Sequence, residues 1–507
     1  MRSFTRRDFL VCLSLAGICL MEVWRRLVFA NQFLLPRWSW RDLLAAGIVL
    51  ALLTGILSLV VWLGRSTPLR RIAFDRWVFL LPLVVFLNLI RHQFPNDVSR
   101  IIRDENFFAY LALLVIVVMS LLARFPLWIG RAAEVVALCC LPFLPIMVLQ
   151  ASWRVAHEPP LPLVAGRIHS SSPAPTRFVW IIYDEADWRY IDPRTRPTGL
   201  QLPELDRMMS ESLWADNAIQ SGIQTASAIP SLMYGQPVEI GLFHGTGLLV
   251  TADDQNKPVD WIKESSVFSW VRSQGWDATI VGWYIPYCRV LAPVLSDCYW
   301  ESIDTRVRGF EPSLSTSLGS ALRSLWPLED RQRHVLRYDR LLRESIEDAT
   351  DPTLSLVLLH LPVPHEPAIY DRGSGHLTIF NFARDWYLDN LALGDRNLAD
   401  IRRAMEQAGV WDRSTVLVTS DHALRWYADW NEQSSPRIPY MVKLAGQKHG
   451  LEYHNRFHTL LTRELIQACL LGQIRTTDEL RAWLDLRSKP VPPAPAAVVR
   501  MPVPGTP

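Results

Sequence analysis

The sequence carries little net charge for its length. Its 52 lysines and arginines nearly balance 50 aspartates and glutamates, which leaves a net charge of +2 over 507 residues. This balance argues against nucleic acid or another polyanion as a partner, because such ligands are bound through an excess of positive charge. Charged residues are also unevenly distributed, since they are sparse before about residue 150 and dense after it.

Cysteine is scarce, and its spacing argues against a zinc-finger or thiol redox motif. Only seven cysteines are present, without a CxxC pair or a Cys and His zinc spacing. Four of them lie in apolar segments, where a buried thiol behaves as a small hydrophobe. These four are Cys12, Cys19, Cys139 and Cys140. Cys288 and Cys298 lie in a loop-like stretch, YCRVLAPVLSDCYW, and an oxidising compartment would permit a disulfide between them. The sequence leaves that pairing open.

Hydrophobic residues make up half of the chain, and long apolar runs occur near the N-terminus. A first short run at 11–21 is followed by stronger runs at 43–63, 77–90, 107–123 and 132–151. The runs at 77–90 and 107–123 are shorter than the roughly 20 residues that a helix needs to cross a bilayer, but their apolar flanks extend them. The sequence therefore predicts a multi-span membrane domain of about five helices over residues 1–153.

The predicted loops set the orientation of these helices. TRRDFL before the first run fits either a twin-arginine export signal or the positive flank of a membrane anchor, and we favour the anchor because more membrane segments follow. Arginines are more numerous in the loops on the side of the N-terminus, which indicates that this side is cytoplasmic. An odd number of spans then places everything after Trp153 outside the cytoplasm, in the periplasm of a Gram-negative cell.

The rest of the chain divides into three parts. Residues 154–176 are rich in proline and serine without an apolar period, which is typical of a linker. A soluble domain is predicted over 177–488. Residues 489–507 contain too little apolar material besides proline to pack, and we expect this tail to be disordered.

Two apolar runs in the soluble domain end in acidic residues. They are RFVWIIYDEAD at 177–187 and STVLVTSDH at 414–422, and both are continuous in valine, isoleucine, leucine and aromatics. Such continuity predicts buried strands of a parallel sheet. Further strands are predicted at 276–284 and 354–362, and a helix at 390–409 leads into the strand at 414–422. The alternation predicts an α/β fold with a mostly parallel central sheet sandwiched by helices.

Polar residues follow these predicted strands at the sheet edge where α/β proteins bind ligands. Asp184 ends the first strand, and Asp421 and His422 end the last. Thr225 begins TASAIPSLMYG at 225–235, a small-residue turn running into a helix whose N-terminus suits a tetrahedral anion. Three oxygen donors and one nitrogen suit zinc or manganese. Taken alone, Thr225 also fits a helix N-cap, and Asp184 a capping acid.

Together these residues resemble the alkaline phosphatase superfamily, and within it the membrane-anchored phosphoethanolamine and phosphoglycerol transferases, which are similar to sulfatases in fold. The resemblance covers about 177–446. It implies that Asp184, Thr225, Asp421 and His422 hold a divalent metal ion, zinc or alternatively manganese, and that Thr225 is the nucleophile. Glu185 is a further metal ligand if the site follows the sulfatases, which use two adjacent acids, whereas the transferases use one.

A second segment, HLPVPHEPAIYDR at 360–372, resembles the transferase segment that has two histidines five apart, then proline, tyrosine and arginine. It implies a catalytic role for His365, which would bind a phosphoryl oxygen or protonate the leaving alkoxide. It also implies substrate binding by His360, Tyr370 and Arg372. His360 fits a buried structural histidine equally well.

Several positions depart from the family pattern. A formylglycine sulfatase needs cysteine or serine as nucleophile and arginine four residues later, where this chain has Thr225 and Ile229. Ala423 stands where the superfamily usually has glycine. Residues 423–448 contain no histidine, although the transferases carry one there, so that second metal site is absent or rebuilt. The histidine-rich KHGLEYHNRFH at 448–458 fits either a second metal site or a solvated loop, and we favour the loop.

The resemblance implies a multi-pass protein of the bacterial inner membrane with a periplasmic catalytic domain. Its function would be to move a phospho-substituent, such as phosphoethanolamine or phosphoglycerol, from a phospholipid donor to a cell-envelope glycan or lipid acceptor through a phosphorylated threonine. A membrane-anchored phosphodiesterase that uses water is an alternative of the same class. A catalytically inactive membrane scaffold or sensor is an alternative of a different class.

Overall fold

The computed structural model describes residues 4–28, 38–66, 113, 116, 120, 126–157, 164–167, 174–240, 248–251, 258–260, 266–302, 313–326, 328–383, 385–425 and 435–488. The chain forms two compact units. The first comprises Met1–Leu161, Glu301–Arg337 and Phe382–Arg384. The second comprises Pro162–Trp300, Tyr338–Asn381 and Asp385–Pro507.

The N-terminal part of the first unit is helical. Its described helices are α1 (Arg6–Cys19), α2 (Met21–Val28), α3 (Trp40–Ser66), α4 (Pro126–Cys140) and α5 (Phe143–His157). Within the described ranges, two segments are long and apolar enough to cross a membrane, Trp40–Gly64 and Glu134–His157. They coincide with the runs at 43–63 and 132–151. The runs at 77–90 and 107–123 lie outside the described residues apart from 113, 116 and 120, so the five-span layout stays a prediction.

Two clusters of buried apolar side chains show how these helices pack. One joins the first half of α3 to α2 and α5, and the other joins the second half of α3 to α1 and α4. The helix α3 therefore runs antiparallel to its neighbours. Its outer side is apolar as well, because Leu52 and Ile56 are more than half exposed, as is Leu149 of α5. Such a surface is unfavourable in water and favourable in lipid.

The remaining helices and strands follow in chain order. The helices are α6 (Trp188–Ile191), α7 (Pro203–Glu211), α8 (Thr225–Tyr234), α9 (Val267–Ser273), α10 (Tyr287–Val290), α11 (Leu314–Arg323), α12 (Glu329–Thr350), α13 (Trp386–Gln407), α14 (Thr462–Leu470) and α15 (Thr477–Arg487). The strands are β1 (Arg177–Asp184), β2 (Leu213–Ala215), β3 (Ala218–Ile219), β4 (Val238–Ile240), β5 (Leu248–Thr251), β6 (Pro258–Asp260), β7 (Ala278–Trp283), β8 (Asp297–Glu301), β9 (Leu356–Pro364), β10 (Tyr370–Asp371), β11 (His376–Leu377), β12 (Ser414–Ser420), β13 (Tyr440–Lys443), β14 (Leu451–Tyr453) and β15 (Phe457–His458).

An eight-stranded sheet organises the second unit, in the order β14-β2-β13-β12-β1-β9-β7-β8. The central strands β12, β1, β9 and β7 are parallel to one another, whereas β13 is antiparallel to both of its neighbours. Each central strand is buried along its whole length, which explains why its sequence is continuously apolar rather than alternating. The predicted α/β domain with a mostly parallel sheet is thereby confirmed.

The predicted boundaries differ from the observed ones in a few places. Helix α5 continues to His157, so helical structure overlaps the start of the predicted linker at 154–176. Helix α13 begins at Trp386, four residues before the predicted start at 390, because Trp386, Tyr387 and Leu388 are buried and extend its apolar face. Glu301–Arg337 belongs to the first unit, although the predicted soluble domain at 177–488 included it. The apolar spacing within α11 indicates an amphipathic helix but not which unit it packs against.

Cys288 and Cys298, whose pairing the sequence left open, form a disulfide between α10 and β8. Their Cα atoms are 5.7 Å apart, a separation that this bond requires. The free cysteines of the described chain include Cys469, which is buried.

Candidate active site

The carboxyl ends of the parallel strands meet at one edge of the sheet, where polar side chains gather. Asp184 is the last residue of β1, and Asp421 and His422 directly follow β12. His365 directly follows β9, and Tyr284 directly follows β7. The parallel arrangement therefore brings together residues that are far apart in the chain.

Asp184, Asp421 and His422 form the centre of this edge. All three are buried, and their ligand atoms lie within 4.8 Å of one another. His422 Nε2 lies 3.5 Å from Asp421 Oδ2 and 3.9 Å from Asp184 Oδ1. Thr225 Oγ1 lies 3.3 Å from the same nitrogen. The predicted nucleophile is thus next to the predicted metal ligands.

Local structure places the Thr225 hydroxyl at the N-terminus of α8. Thr225 is the first helical residue and Gln224 is the N-cap, so Thr225 does not have the capping role that the sequence also allowed. A Cβ on Gly222 would lie 2.6 Å from the backbone nitrogen of Ala228. Only glycine therefore lets the preceding turn pack against the first turn of α8. The first N–H groups of a helix lack intrahelical acceptors and attract anions.

The turn after β12 is held by two side chains that the sequence analysis did not single out. Ser420 Oγ lies 2.7 and 2.8 Å from the carbonyl oxygens of Tyr183 and His422, which share its single hydroxyl proton. Gln220 Oε1 accepts the backbone N–H of Ala423 at 2.8 Å. The turn therefore forms with alanine at the position where the superfamily usually has glycine.

The donor atoms at the centre fit a divalent cation. Asp421 Oδ1 accepts backbone N–H groups from Glu185 and His422, at 3.1 and 2.8 Å. Asp421 Oδ2 and both carboxylate oxygens of Asp184 are buried and have no hydrogen-bond partner in the described part of the chain. Such oxygens are unfavourable unless a cation or a proton balances them. Two carboxylates and an imidazole are ligands that zinc and manganese accept.

The orientation of His422 supports the same interpretation. Its Nδ1 lies 3.0 Å from the carbonyl oxygen of Ala423. A carbonyl oxygen can only accept, so Nδ1 carries the proton and the lone pair of Nε2 faces the carboxylates. Metal-binding histidines are commonly held in this way by their second nitrogen.

Electrostatics distinguish the two carboxyl groups. Burial and the charge of Asp421 raise the pKa of Asp184 well above its usual range. Burial acts in the same direction on Asp421, but the neighbouring His422 and His360 outweigh it and lower the pKa of that carboxyl. Burial also lowers the pKa of His422. A proton held by this pair therefore resides on Asp184.

We expect the affinity for a divalent cation to rise with pH. At pH values between the ordinary pKa of a carboxyl and the raised pKa of Asp184, a cation must displace a proton from Asp184. One displaced proton raises the affinity by about tenfold per pH unit in that range. Calorimetric titration of zinc in buffers of different ionisation enthalpy measures both the affinity and the number of protons released. An affinity that stays constant or falls with rising pH in that range would contradict a protonated Asp184.

Glu185 does not join this group. Its backbone has a positive φ of 68°, and its Oε1 lies 3.1 Å from Nε of Arg425. The left-handed backbone directs the two adjacent acids to different partners. The Glu185 carboxylate therefore has an arginine partner in this structure, and its role as a metal ligand stays a prediction. Sequence analysis missed Arg425, because the residues around it do not indicate that it pairs with Glu185.

His360 lies near one carboxylate oxygen of Asp184, and His422 lies near the other. His360 is buried within β9, and its Nε2 is 3.9 Å from Asp184 Oδ2. Its Nδ1 lies 2.7 Å from the hydroxyl oxygen of Tyr287. Burial lowers the pKa of His360 to about 4, so the ring is neutral near pH 7. This location favours a role in the site over a purely structural one, and substrate binding by His360 stays a prediction.

We predict that Gly282→Ala disturbs His360 through Tyr287. A Cβ at Gly282 would lie 2.4 Å from Cε2 of Tyr287, so the ring would have to move. Overpacking of this kind destabilises by about 1–3 kcal/mol, and denaturant unfolding measures it. Gly394→Ala is the matched control, because its nearest contact would be an ordinary 3.7 Å to Tyr183. Equal stability of the two variants would show that the Tyr287 ring is not held in place.

His365 is half-buried beside the same carboxylates. Its backbone N–H donates to the Asp184 carbonyl oxygen at 3.1 Å, and its Nδ1 donates to the Glu366 carbonyl oxygen at 2.7 Å. Burial lowers the pKa of His365, but the charges of Asp184, Glu185 and Glu366 outweigh it and raise the pKa to about 9. A cation on Asp184 would offset part of this charge and lower that pKa. The ring also meets the Trp283 ring edge to face, with centroids 5.3 Å apart.

Asn390 holds the loop that carries His365. It is fully buried in α13, and its Nδ2 lies 3.4, 3.1 and 3.1 Å from the carbonyl oxygens of Pro364, His365 and Pro367. We expect Asn390→Asp, which has the same shape but no donor, to cost about 1–3 kcal/mol because a carboxylate would face three carbonyl oxygens. Denaturant unfolding measures this cost, and wild-type stability in the variant would contradict the role.

Tyr370 and Arg372 have contacts elsewhere. Arg372 pairs with Asp385, and its Nε lies 3.3 Å from Asp389 Oδ1 at the start of α13. Tyr370 is buried in β10, where its carbonyl oxygen accepts from Asn381. Contacts of either residue with Asp184 or Thr225 are not seen among the described residues. Their roles in substrate binding therefore stay predictions.

Tyr284 is a further candidate that sequence analysis missed. Its φ is 64°, an uncommon value for an aromatic residue that is often associated with functional sites. Burial and the charges of Asp184 and Asp421 raise its pKa. The strand predicted at 276–284 included Tyr284, whereas the observed strand ends at Trp283. A tyrosine at the end of an apolar run carries no signal of this backbone conformation.

The histidine-rich segment at 448–458 contributes to a surface ion-pair network. His454 Nδ1 lies 3.0 Å from Asp216 Oδ2 and 3.8 Å from Glu452 Oε1. Arg194 pairs with the same two acids, at 3.4 and 2.8 Å. Because an arginine already balances these acids and His454 is exposed, the arrangement agrees with a solvated surface.

Comparisons with known proteins complement this geometry. The sulfatase family model matches residues 176–462, which is more than half of the chain. Comparison with curated proteins finds no match.

Three solved structures are among those to which the chain is similar. A protein of the alkaline phosphatase superfamily from Vibrio parahaemolyticus is 16% identical, with a TM-score of 0.36 over 59% of this chain and 68% of that chain. The lipoteichoic acid synthase LtaP from Listeria monocytogenes is 14% identical, with a TM-score of 0.38 over 60% and 72%. The phosphonate monoester hydrolase of Agrobacterium radiobacter is 12% identical, with a TM-score of 0.37 over 58% and 73%.

The family match spans both strands that supply Asp184 and Asp421, and also the turn that supplies Thr225. The chain belongs to the sulfatase family.

Proposed function

We propose that this sulfatase-family chain is a membrane-anchored, metal-dependent phosphotransferase. It would move a phospho-substituent, such as phosphoethanolamine or phosphoglycerol, from a phospholipid to a cell-envelope glycan or lipid. The observation that carries the proposal is the position of Thr225 Oγ1, 3.3 Å from His422 Nε2 and beside buried carboxylate oxygens without hydrogen-bond donors in the described chain. A hydroxyl in this setting is suited to act as a nucleophile.

The nature of the nucleophile favours phosphoryl over sulfuryl transfer. A formylglycine sulfatase requires cysteine or serine at the position of Thr225 and arginine at the position of Ile229. Threonine can attack phosphorus directly and form a phosphate ester. The N-terminus of α8 would bind the phosphoryl oxygens through its first backbone N–H groups.

The first step would form the bond between Thr225 Oγ1 and phosphorus as the bond from phosphorus to the donor oxygen breaks. Thr225 would lose its hydroxyl proton to solvent water in this step. His365, whose pKa is raised by the charges of Asp184, Glu185 and Glu366, would supply a proton to that leaving oxygen.

In a second step, a hydroxyl of the acceptor would form a bond to phosphorus as the bond from phosphorus to Thr225 Oγ1 breaks. The neutral His365 would take the acceptor's proton, and the Thr225 oxygen would regain its own from water. Asp184, Asp421 and His422 would hold a divalent cation, zinc or alternatively manganese. This cation would lower the pKa of the Thr225 hydroxyl and neutralise negative charge on the phosphoryl group.

The location we propose is the bacterial inner membrane, with the catalytic domain in the periplasm. Two apolar helices with exposed leucine and isoleucine side chains support membrane anchoring. The disulfide between Cys288 and Cys298 supports an oxidising compartment for the second unit. Together they favour a phospholipid headgroup as the donor, because it is abundant at that membrane surface.

The test uses the full chain in vesicles that contain phospholipid labelled with ³²P in the headgroup. We expect label on the protein within the first turnover, and donor consumption that depends on an added envelope glycan or lipid acceptor. Donor consumption without any acceptor would identify a phosphodiesterase instead. Neither adduct nor consumption with any phospholipid class would favour the inactive scaffold.

A further inference from the structure

The segment Glu301–Arg337 lies within the sequence of the catalytic domain but packs with the N-terminal helices. One side of α11 is buried at Ser317 and Ala321. Ala321 belongs to the same apolar cluster as Trp24 and Trp38, and Ser317 Oγ donates to Asp42 Oδ1 at 2.5 Å. The segment is therefore a part of the helical unit that is supplied from a distant place in the chain.

The segment packs at one end of this unit. Asp42 lies in the first turn of α3, and Val155, near the end of α5, belongs to the same cluster as Ala321. Leu27, near the end of α2, belongs to it as well. Since α3 is antiparallel to its neighbours, these positions lie at the same end of the bundle.

Ion pairs fix the segment to that end. Arg26 of α2 lies 3.5 Å from Glu329 at the start of α12, and Arg333 lies 3.5 Å from the same carboxylate. All three side chains are buried. Removal of one partner from a buried pair is strongly destabilising, so the position of the segment relative to α2 is well defined.

The outer side of this end carries large apolar side chains. Trp40, at the start of α3, is 57% exposed, and Trp153, near the end of α5, is 65% exposed. Two stretches of later sequence belong to this unit, Glu301–Arg337 and Phe382–Arg384. In them, Leu322 is 50% exposed, Trp326 is 52% exposed and Phe382 is 56% exposed. Tryptophan at the ends of spanning helices is typical of the boundary between lipid and water.

We propose that Leu322, Trp326 and Phe382 form an interfacial surface that inserts into the headgroup region of the lipid bilayer. Helices α3 and α5 of the same unit also expose apolar side chains. The Arg331 guanidinium lies 4.4 Å over the Phe382 ring, a combination of cation and aromatic ring that suits anionic headgroups. This inference rests on the membrane placement of α3 and α5 proposed above, and it adds a lipid contact made by the catalytic half of the sequence.

Photo-crosslinking in nanodiscs tests the proposal. The photoreactive residue p-benzoylphenylalanine replaces Trp326 in the full chain, which keeps an aromatic ring at the position. The same residue at Leu52 reports on the spanning helix α3, and at Asp478, whose side chain is 86% exposed, it serves as the control in the second unit. Illumination in nanodiscs of phosphatidylethanolamine and phosphatidylglycerol is followed by mass spectrometry of lipid adducts.

We expect adducts at Leu52 and Trp326 in yields within about threefold of each other, and a yield at least about tenfold lower at Asp478. Adducts at Leu52 without adducts at Trp326 would overturn the interfacial surface and leave the membrane placement intact. An adduct between Trp326 and a second protein chain would also overturn it, in favour of a protein interface. If lipid adducts are absent from Leu52 as well, the membrane placement is wrong and the inference is overturned with it.

Discussion

Thr225→Ala is expected to reduce kcat by roughly 10³-fold or more, because it removes the atom that forms the covalent intermediate. Thr225 Oγ1 is the hydroxyl that lies 3.3 Å from His422 Nε2 at the centre of the candidate site. The variant should fold normally, since alanine favours the first turn of α8. Steady-state turnover of a labelled phospholipid, together with recovery of labelled protein after acid quench, measures both the rate and the adduct.

Two variants control for this loss. Thr225→Ser keeps a hydroxyl at the same position and should retain most of the adduct. Ser227→Ala removes a hydroxyl from the same helical turn, one that donates to the Gln224 carbonyl oxygen at 3.0 Å, and should retain wild-type turnover. An adduct of normal yield in Thr225→Ala would place the nucleophile elsewhere.

Asp184→Asn is expected to abolish specific cation binding and to stabilise the metal-free protein. The folded-state pKa of Asp184 is raised by burial and by Asp421. Its ionised form therefore destabilises the fold, and stability falls as pH rises from the ordinary carboxyl pKa towards the raised one. Asparagine cannot ionise, so the variant does not lose stability in this way. In chelator, at pH values near the raised pKa of Asp184, its free energy of unfolding should exceed that of the wild type by about 1–3 kcal/mol.

Thermal unfolding with chelator and with zinc distinguishes the two effects. In the wild type, zinc should raise Tm because it binds the folded state alone, whereas Asp184→Asn should show no such rise. Asp216→Asn is the matched control, since it changes an acid in the surface ion-pair network. A zinc-induced rise in Tm that Asp184→Asn shares with the wild type would show that the cation binds elsewhere.

Much of the candidate site was predictable because it follows local rules. Continuous apolar runs indicated β1 and β12, and polar residues at their ends indicated Asp184, Asp421 and His422. Parallel strands put their carboxyl ends at the same edge, so the sequence also indicated that these residues would meet. Thr225 was recognisable as a nucleophile only through the family resemblance, because its small-residue turn and helix also fit an N-cap.

The residues that support the site were not predictable in the same way. Asn390 contacts the His365 loop although more than twenty residues separate them in the sequence. Tyr287, in α10, contacts His360 of β9. Neither an asparagine nor a tyrosine within a helix has a local pattern that reveals a distant partner. The pairing of Glu185 with Arg425 and the disulfide between α10 and β8 depend likewise on the tertiary fold.

By itself, the sequence determined the α/β class, the strands that carry the acids and the residues that could bind a cation. These properties follow from hydrophobic periodicity and from the chemistry of side chains at strand ends, which nearby residues encode. The tertiary structure alone decided that Glu301–Arg337 packs with the N-terminal helices and that Glu185 faces an arginine. Those outcomes depend on which surfaces bury one another, a free-energy balance over the whole chain that no single segment contains.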